Sequence, residues 1–257
     1  MSFSGSIGIV GAGNAATHFA KALYAKSLMV KTIYARSSGK GKLLAQSIEC
    51  DYQPISQLEL CSVDVLILAV SDKAIEDISA QIKSNTLVVH CSGSTDIEVL
   101  QSQRTGVLYP LQTMSLGKEV NFDHIPILIE TAVEADKIIL NSIATSLSSN
   151  VVYMNSAQRL KLHLAAVFAC NFSNYMMSTA QAYLEKENIP FELLHNLITE
   201  TAEKAIALGP KKAQTGPAIR GDNKVLQKHE SLLENQEELL PLYQIISNLI
   251  KSQHGLL

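Results

Sequence analysis

A run of small residues between an apolar strand and a helix carries the first chemistry in this chain. Ile7-Gly8-Ile9-Val10 leads into Gly11-Ala12-Gly13-Asn14-Ala15-Ala16, a Gly-x-Gly-x-x-Ala pattern, and an amphipathic helix to Leu23 starts at once. Gly11 permits the tight turn out of the strand. Gly13 removes the Cβ that would hold a diphosphate away from backbone N–H groups, and Ala16 keeps the helix close to the sheet. The unpaired amides at the helix N-terminus lie at the positive end of its dipole and suit an anion. Gly11, Gly13, Asn14 and Ala15 are therefore expected to grip the pyrophosphate of a dinucleotide, the alternative being a merely structural glycine turn.

The next strand indicates which dinucleotide. An acid at its end, about 20 residues past the glycines, usually takes the ribose 2′-OH of NAD. Here the strand ends Tyr34-Ala35-Arg36-Ser37-Ser38, with no acid. Arg36 can stack on adenine and pair with a 2′-phosphate, while Ser37 and Ser38 supply short donors, so NADP is expected rather than NAD. The same gap argues against FAD and S-adenosylmethionine. Two further strands end in Ala69-Val70-Ser71-Asp72 and His90-Cys91-Ser92-Gly93-Ser94. Backbone at Val70, Ser71, Cys91 and Ser92 is expected to border the nicotinamide ribose, with Asp72 capping the helix that follows.

A second group of polar residues lies later in the chain. His163, Asn171, Asn174 and Ser178 fall within an arc of roughly 80° on one helix, at 100° per residue. Leu160, Leu162, Leu164, Val167, Phe168 and Met176 lead us to expect that helix to be largely buried. A buried polar stripe must be hydrogen-bonded, hydrated or turned to a cleft. His163 can serve as acid, base or carbonyl-polarising donor near neutral pH, and helix–helix hydrogen bonds are the alternative for the two Asn. In Thr215-Gly216-Pro217-Ala218-Ile219-Arg220-Gly221-Asp222, Arg220 can hold a carboxylate or phosphate. Asp222 either orients Arg220 or caps the next helix. Tyr109, in Tyr109-Pro110-Leu111-Gln112-Thr113, is a proton donor overhanging the site or a buried, hydrogen-bonded Tyr. No metal site is expected.

The elements that must position these residues read as two parts. Apolar runs at 5–10, 30–35, 63–70, 86–91 and 106–108 read as strands, with helices at 15–25, 41–47, 73–82 and 96–103 between them. Two more strands, 125–130 and 150–153, flank a helix at 132–147. The alternation implies a doubly wound, mostly parallel sheet over residues 1–154. Residues 155–257 read as all-helical. Asn155 or Ser156 caps a helix to about 186, Gly209-Pro210 ends one begun near Phe191, and helices at about 223–233 and 236–253 follow a Gly/Pro/Lys loop.

Composition closes off several classes. The 257 residues are 47% hydrophobic and 18% charged, the balance of a globular protein with ample core. A net charge of −3 without a basic stripe argues against a nucleic-acid partner. No basic n-region with a long apolar h-region opens the sequence, and no run approaches the ~20 residues of a membrane span, so a cytoplasmic protein without a membrane partner is expected. Cys50, Cys61, Cys91 and Cys170 form no Cys-x-x-Cys pair and read as reduced, buried thiols.

With these residues assembled, the chain resembles a Rossmann-like oxidoreductase family whose helical C-terminal half was long a domain of unknown function. More distantly it is similar to pyrroline-5-carboxylate reductases and deazaflavin-dependent NADP reductases. The resemblance spans nearly the whole chain. It is carried by Gly11-Ala12-Gly13-Asn14, the Tyr109–Thr113 segment, His163-Leu164-Ala165-Ala166-Val167-Phe168-Ala169 with Asn171, and Thr215-Gly216-Pro217-Ala218 with Arg220-Gly221-Asp222. The family pattern has a His where Tyr109 stands. The resemblance implies a Rossmann sheet followed by a smaller helical substrate and dimerisation domain, NADP binding, and a homodimer through the helical halves. The expected activity is hydride transfer between NADP(H) and a small carbonyl or imine substrate bearing an acidic group. His163 would donate or polarise, Asn171 fix the substrate and Arg220 bind the acid. The alternative is a regulator or scaffold that reads NADP(H) without chemistry.

Overall fold

The computed structural model describes residues 3–256. Eight strands form one sheet: β1 (Ser6–Val10), β2 (Met29–Ala35), β3 (Asp51–Pro54), β4 (Val65–Leu68), β5 (Leu87–His90), β6 (Arg104–Pro110), β7 (Ile127–Thr131) and β8 (Val151–Tyr153). Their order is β3-β2-β1-β4-β5-β6-β7-β8. β3 through β6 run parallel, β7 is antiparallel to β6, and β8 is parallel to β7. β4 (Val-Leu-Ile-Leu) and β5 (Leu-Val-Val-His) are buried along their whole length, as strands covered on both faces must be.

Helices α1 (Asn14–Ala25), α2 (Ser38–Ser47), α3 (Ile75–Ser79) and α4 (Glu134–Leu147) pack on the sheet. α1 buries Ala16, Phe19, Ala20 and Leu23, the three-to-four spacing of a helix stripe, in one core with Ile7 and Ile9. α4 adds Leu140, Ile143, Ala144 and Leu147 to the same core. The opposite face is filled by Val10, Leu66, Leu68, Val88, Ile75 and Ile78.

Several local expectations change. β3 was not foreseen, because an edge strand of Asp-Tyr-Gln-Pro is only partly covered and shows no apolar run. The helix expected at 96–103 is a single 3₁₀ turn, Ile97–Val99, capped by the Asp96 side chain, because β6 already begins at Arg104. The helix expected at 73–82 begins as a 3₁₀ turn, Asp72–Ala74, and continues only as α3. Asp72 is not its cap; its carboxylate accepts the Ser94 hydroxyl instead.

After β8 every element is helical. α5 (Ser156–Ala166) is capped by Asn155, one of the two expected caps, in a capping box where the Asn155 side chain accepts from Gln158 N and the Gln158 side chain accepts from Asn155 N. α5 runs into a π-helical turn, Val167–Phe172, and then α6 (Ser173–Lys186). The π turn holds extra residues per turn, so a uniform 100° count does not run across it. The helix is also less buried than expected: Leu160, Leu164 and Phe168 are 49%, 56% and 62% exposed in this chain.

The chain divides into two compact units, Met1–Ser173 and Asn174–Leu257. The second contains most of α6 with α7 (His195–Leu208), α8 (Pro210–Ala213), α9 (Pro217–Arg220), α10 (Asn223–Leu232) and α11 (Leu239–Gln253). The loop expected at 210–222 thus holds two one-turn helices, with Gly216 and Gly221 at φ 109° and 65° supplying the reversals. Inside this unit a cavity of about 620 Å³ is lined by Met176, Leu226, Leu233, Leu242 and Ile246 beside a His229–Tyr243 hydrogen bond of 2.8 Å. Among the described residues no helix is long and apolar enough to cross a membrane.

Candidate dinucleotide site

The sheet order places β1 between β2 and β4, where the chain reverses direction, and ligands bind at the carboxyl ends of strands at such a switch point. Gly11 leaves β1 at φ +125° and donates its N–H to Tyr34 O at 2.8 Å. A Cβ on Gly11 would lie 2.2 Å from Ala69 O, so no side chain fits. Around Gly13, the N-cap of α1, a Cβ would meet nothing within 4 Å. α1 has neither a side-chain cap nor an acidic residue in its first turn, which leaves its leading amides to an external anion.

That end of α1 opens into a cavity of about 700 Å³. Gly11, Gly13, Asn14, Ala15, Arg36, Ser37, Val70 and Ser71 all line it, together with Lys40 and Ser56. Asp77 is the one acid in this lining, and none stands at the end of β2. Ser38 is outside the lining and heads α2. Asn14 Nδ2 donates to Met114 O at 3.1 Å and His18 pairs with Ser115 O at 3.0 Å, which ties the loop after β6 to α1.

A smaller cavity of about 220 Å³ shares Asn14 and Ala15 with the first and is completed by Phe19, Cys91, Tyr109, Pro110, Gln112 and Met114. Burial pushes the Cys91 thiol up to about 12, so it is a protonated wall rather than a nucleophile. Ser92 lines neither cavity. It is buried and braces the turn after β5, its Oγ accepting from Ser94 N and Thr95 N at 3.2 and 3.0 Å. His90 is fully buried and accepts from Ser92 N through Nδ1. Burial, with help from the Arg159 charge, holds it down to about 4, so it is neutral at physiological pH.

Behind the smaller cavity, Tyr109 Oη lies 3.4 Å from His163 Nδ1, the rings meeting edge-on at 68°. A Cβ on Gly93 would sit 2.6 Å from His163 Nδ1 and 2.9 Å from Tyr109 Oη, so the pair exists because residue 93 has no side chain. His163 is held there by its neighbour one turn earlier. Arg159 is 1% exposed and donates to Glu130 of β7 and to Thr95 O, both at 2.5 Å, and to Ser156 Oγ at 3.0 Å. Glu130 also accepts from Ser156 N and Oγ, closing a network that fastens the start of α5 to the sheet.

Asn171 is exposed in the π turn, and Arg220 is exposed at the end of α9 in the second unit. Asp222 caps α10 through Val225 N at 3.3 Å. The cysteines are free, with only Cys61 fully buried and Cys170 exposed. Among the described residues no His, Cys, Asp and Glu gather as a metal site. Reasoning from the sequence missed Gly93, Glu130, Arg159 and Lys40. Only Lys40 left a signal, a cation in the Ser-Gly-Lys-Gly segment beside Arg36.

A glycine cradle opening a helix at the switch point of a parallel sheet defines the Rossmann class of dinucleotide-binding folds. Comparison with known families agrees. Residues 6–93 match the model described as NADP oxidoreductase, coenzyme F420-dependent, and residues 125–250 match a domain of unknown function, DUF2520. The crystal structure of a "putative NADP oxidoreductase" from Bacteroides fragilis is 38% identical, with 98% of each chain covered and a TM-score of 0.88. This chain therefore belongs to that family of Rossmann-type NADP oxidoreductases with a helical C-terminal domain. Two more remote likenesses concern the fold alone. A reductive aminase from Aspergillus terreus is 14% identical over 98% of this chain and 96% of that one, with a TM-score of 0.72. A pyrroline-5-carboxylate reductase from Coxiella burnetii is 18% identical over 98% and 99%, with a TM-score of 0.58. No curated protein matches the sequence.

Proposed function

We propose that this protein is an NADP-dependent reductase or dehydrogenase of small carbonyl or imine compounds. The observation that carries the cofactor choice is the 700 Å³ cavity, where Arg36, Ser37 and Lys40 stand at the end of β2 and no acid does. Two cations and a hydroxyl favour a 2′-phosphate; a free 2′-OH would leave them unsatisfied. The uncapped amides of α1 beside Gly13 hold the pyrophosphate. When bound, the cofactor supplies the hydride through its nicotinamide, and the smaller cavity walled by Cys91 and Tyr109 is the space for that ring and the substrate. His163, beside Tyr109 at the back of that space, provides acid–base chemistry. The reductive aminase and pyrroline-5-carboxylate reductase likenesses favour an imine or carbonyl carbon as the acceptor. An acidic substituent on the substrate is assigned to Arg220.

Calorimetry with NADPH and NADH tests this reading. NADPH is expected to bind the more tightly, and Arg36→Ala to reduce that preference by about 10- to 100-fold, the worth of one or two charge-assisted contacts. Tighter binding of NADH, or heat with neither nucleotide, overturns it.

We further assign residues 1–154 to nucleotide binding and 155–257 to the helical part that forms a cytoplasmic homodimer. Support comes from large apolar side chains open to solvent in the second unit, among them Leu193, Leu197, Ile206, Leu232 and Leu249. Sedimentation is expected to give twice the 27.9 kDa of one chain. A single 27.9 kDa species at micromolar concentration removes the dimer.

A further inference from the structure

Resting on the cofactor reading, we propose that Tyr109 is the catalytic proton donor of this protein and that His163 acts through it, re-supplying the proton that Tyr109 gives away. Two features of the geometry set this order. Tyr109 lines the small cavity that shares Asn14 and Ala15 with the dinucleotide cavity, whereas His163 lines neither. His163 stands behind, with Nδ1 3.4 Å from Tyr109 Oη, and is half-buried, so the residue stays in touch with solvent. A proton bound for the cavity therefore passes through the phenol.

The charges around Tyr109 suit the role. The ionisable groups that face it are Cys91 at the end of β5, Asp72 after β4, and Arg159 and His163 on α5. Burial raises the phenol above its ordinary value, Cys91 and Asp72 add to the rise, and Arg159 opposes it. Tyr109 is thus fully protonated through the neutral range, as a donor must be. Asp72 is itself occupied by the Ser94 hydroxyl and does not compete for the phenol proton. Gly93 leaves the space in which the two rings meet.

A bound dihydronicotinamide would supply the hydride that forms a C–H bond at the substrate carbon as the C=O or C=N π pair moves to the heteroatom. That atom takes the Tyr109 proton. The phenolate takes the Nδ1 proton of protonated His163, which regains a proton from water. The substrate is reduced by two electrons and the dihydronicotinamide oxidised by two.

The test uses the full chain, NADPH, and a panel of 2-oxo acids, semialdehydes and cyclic imines as probes, with Tyr109→Phe, His163→Ala and the double variant. Tyr109→Phe is expected to lower kcat by about 10²- to 10⁴-fold with NADPH affinity unchanged, the ordinary worth of a general acid. Wild-type kcat falls at alkaline pH as the phenol ionises, and this limb disappears in Tyr109→Phe. His163→Ala is expected to lose less and to be rescued by added imidazole, but only while Tyr109 is present. Gly93→Ala, whose Cβ would drive the rings apart, is expected to reproduce the kcat loss with both residues still present. In cofactor-free protein, the NMR signals of the His163 ring are expected to move in Tyr109→Phe.

Full kcat in Tyr109→Phe, or imidazole rescue of the double variant, overturns the proposal while leaving the cofactor reading intact. Failure of wild-type protein to bind NADPH overturns that reading instead. The His163 ring signals then decide the pair by themselves, and signals unmoved by Tyr109→Phe end the proposal.

Discussion

Gly11→Ala is expected to abolish nucleotide binding and to destabilise the fold by about 3–5 kcal/mol, the sum of two separate costs. Residue 11 sits at φ +125°, where a side chain is strained by about 1–3 kcal/mol. Its Cβ would also press to 2.2 Å from Ala69 O. That carbonyl belongs to backbone leaving β4 and has no rotamer by which to retreat, so the switch point itself must open. For a chain of this size the loss corresponds to roughly 10 °C in Tm. Gly13→Ala separates folding from binding. Residue 13 has an ordinary φ of −88° and open space where its Cβ would stand, so the melting temperature is expected to hold. The new methyl faces the cradle, and NADPH affinity is expected to drop. A Gly11→Ala protein that melts within about 2 °C of wild type would show that the turn yields cheaply, contrary to the packing seen here.

The second large effect is expected at Glu130. Glu130→Gln leaves Arg159, 1% exposed, as a buried cation without its carboxylate, and should cost about 3–5 kcal/mol in urea or thermal unfolding. Arg159→Met removes the cation as well as its contacts to Thr95 and Ser156, and in combination with Glu130→Gln it should recover much of that loss. Non-additivity of this sign is the mark of a pair whose members each need the other. Because Arg159 also fastens the helix turn that carries His163, Glu130→Gln should lower kcat more than it weakens NADPH binding. Equal loss in the two would mean that the network supports the fold without positioning the imidazole.

The cradle was legible in the sequence because its signals are local. Gly11, Gly13 and Ala16 act through φ, missing Cβ atoms and helix geometry within ten residues, and a strand–turn–helix unit needs nothing distant to form. The same holds for a helix cap at Asn155 or Ser156, for Gly209-Pro210 ending α7, and for Arg36 in place of an acid at the end of β2. Where the signal weakened, the reading drifted. β3 has the polar composition of an edge strand, and the link at 96–103 has helical residue types but too little chain before β6 for a helix. The polar stripe was counted at 100° per residue, and nothing in Val167-Phe168-Ala169-Cys170-Asn171-Phe172 announces a π turn.

The amino-acid sequence by itself thus determined the alternating fold, the glycine cradle and the balance of charge at the cofactor's adenine end, since each follows from residues adjacent in the chain. Only the tertiary structure decided which distant side chains meet. Tyr109 and His163 come together because Gly93 leaves room for them, and Arg159 finds Glu130 because β7 pairs antiparallel beside β6. Contacts of that kind depend on strand order and helix placement, which long-range packing selects and no local pattern encodes.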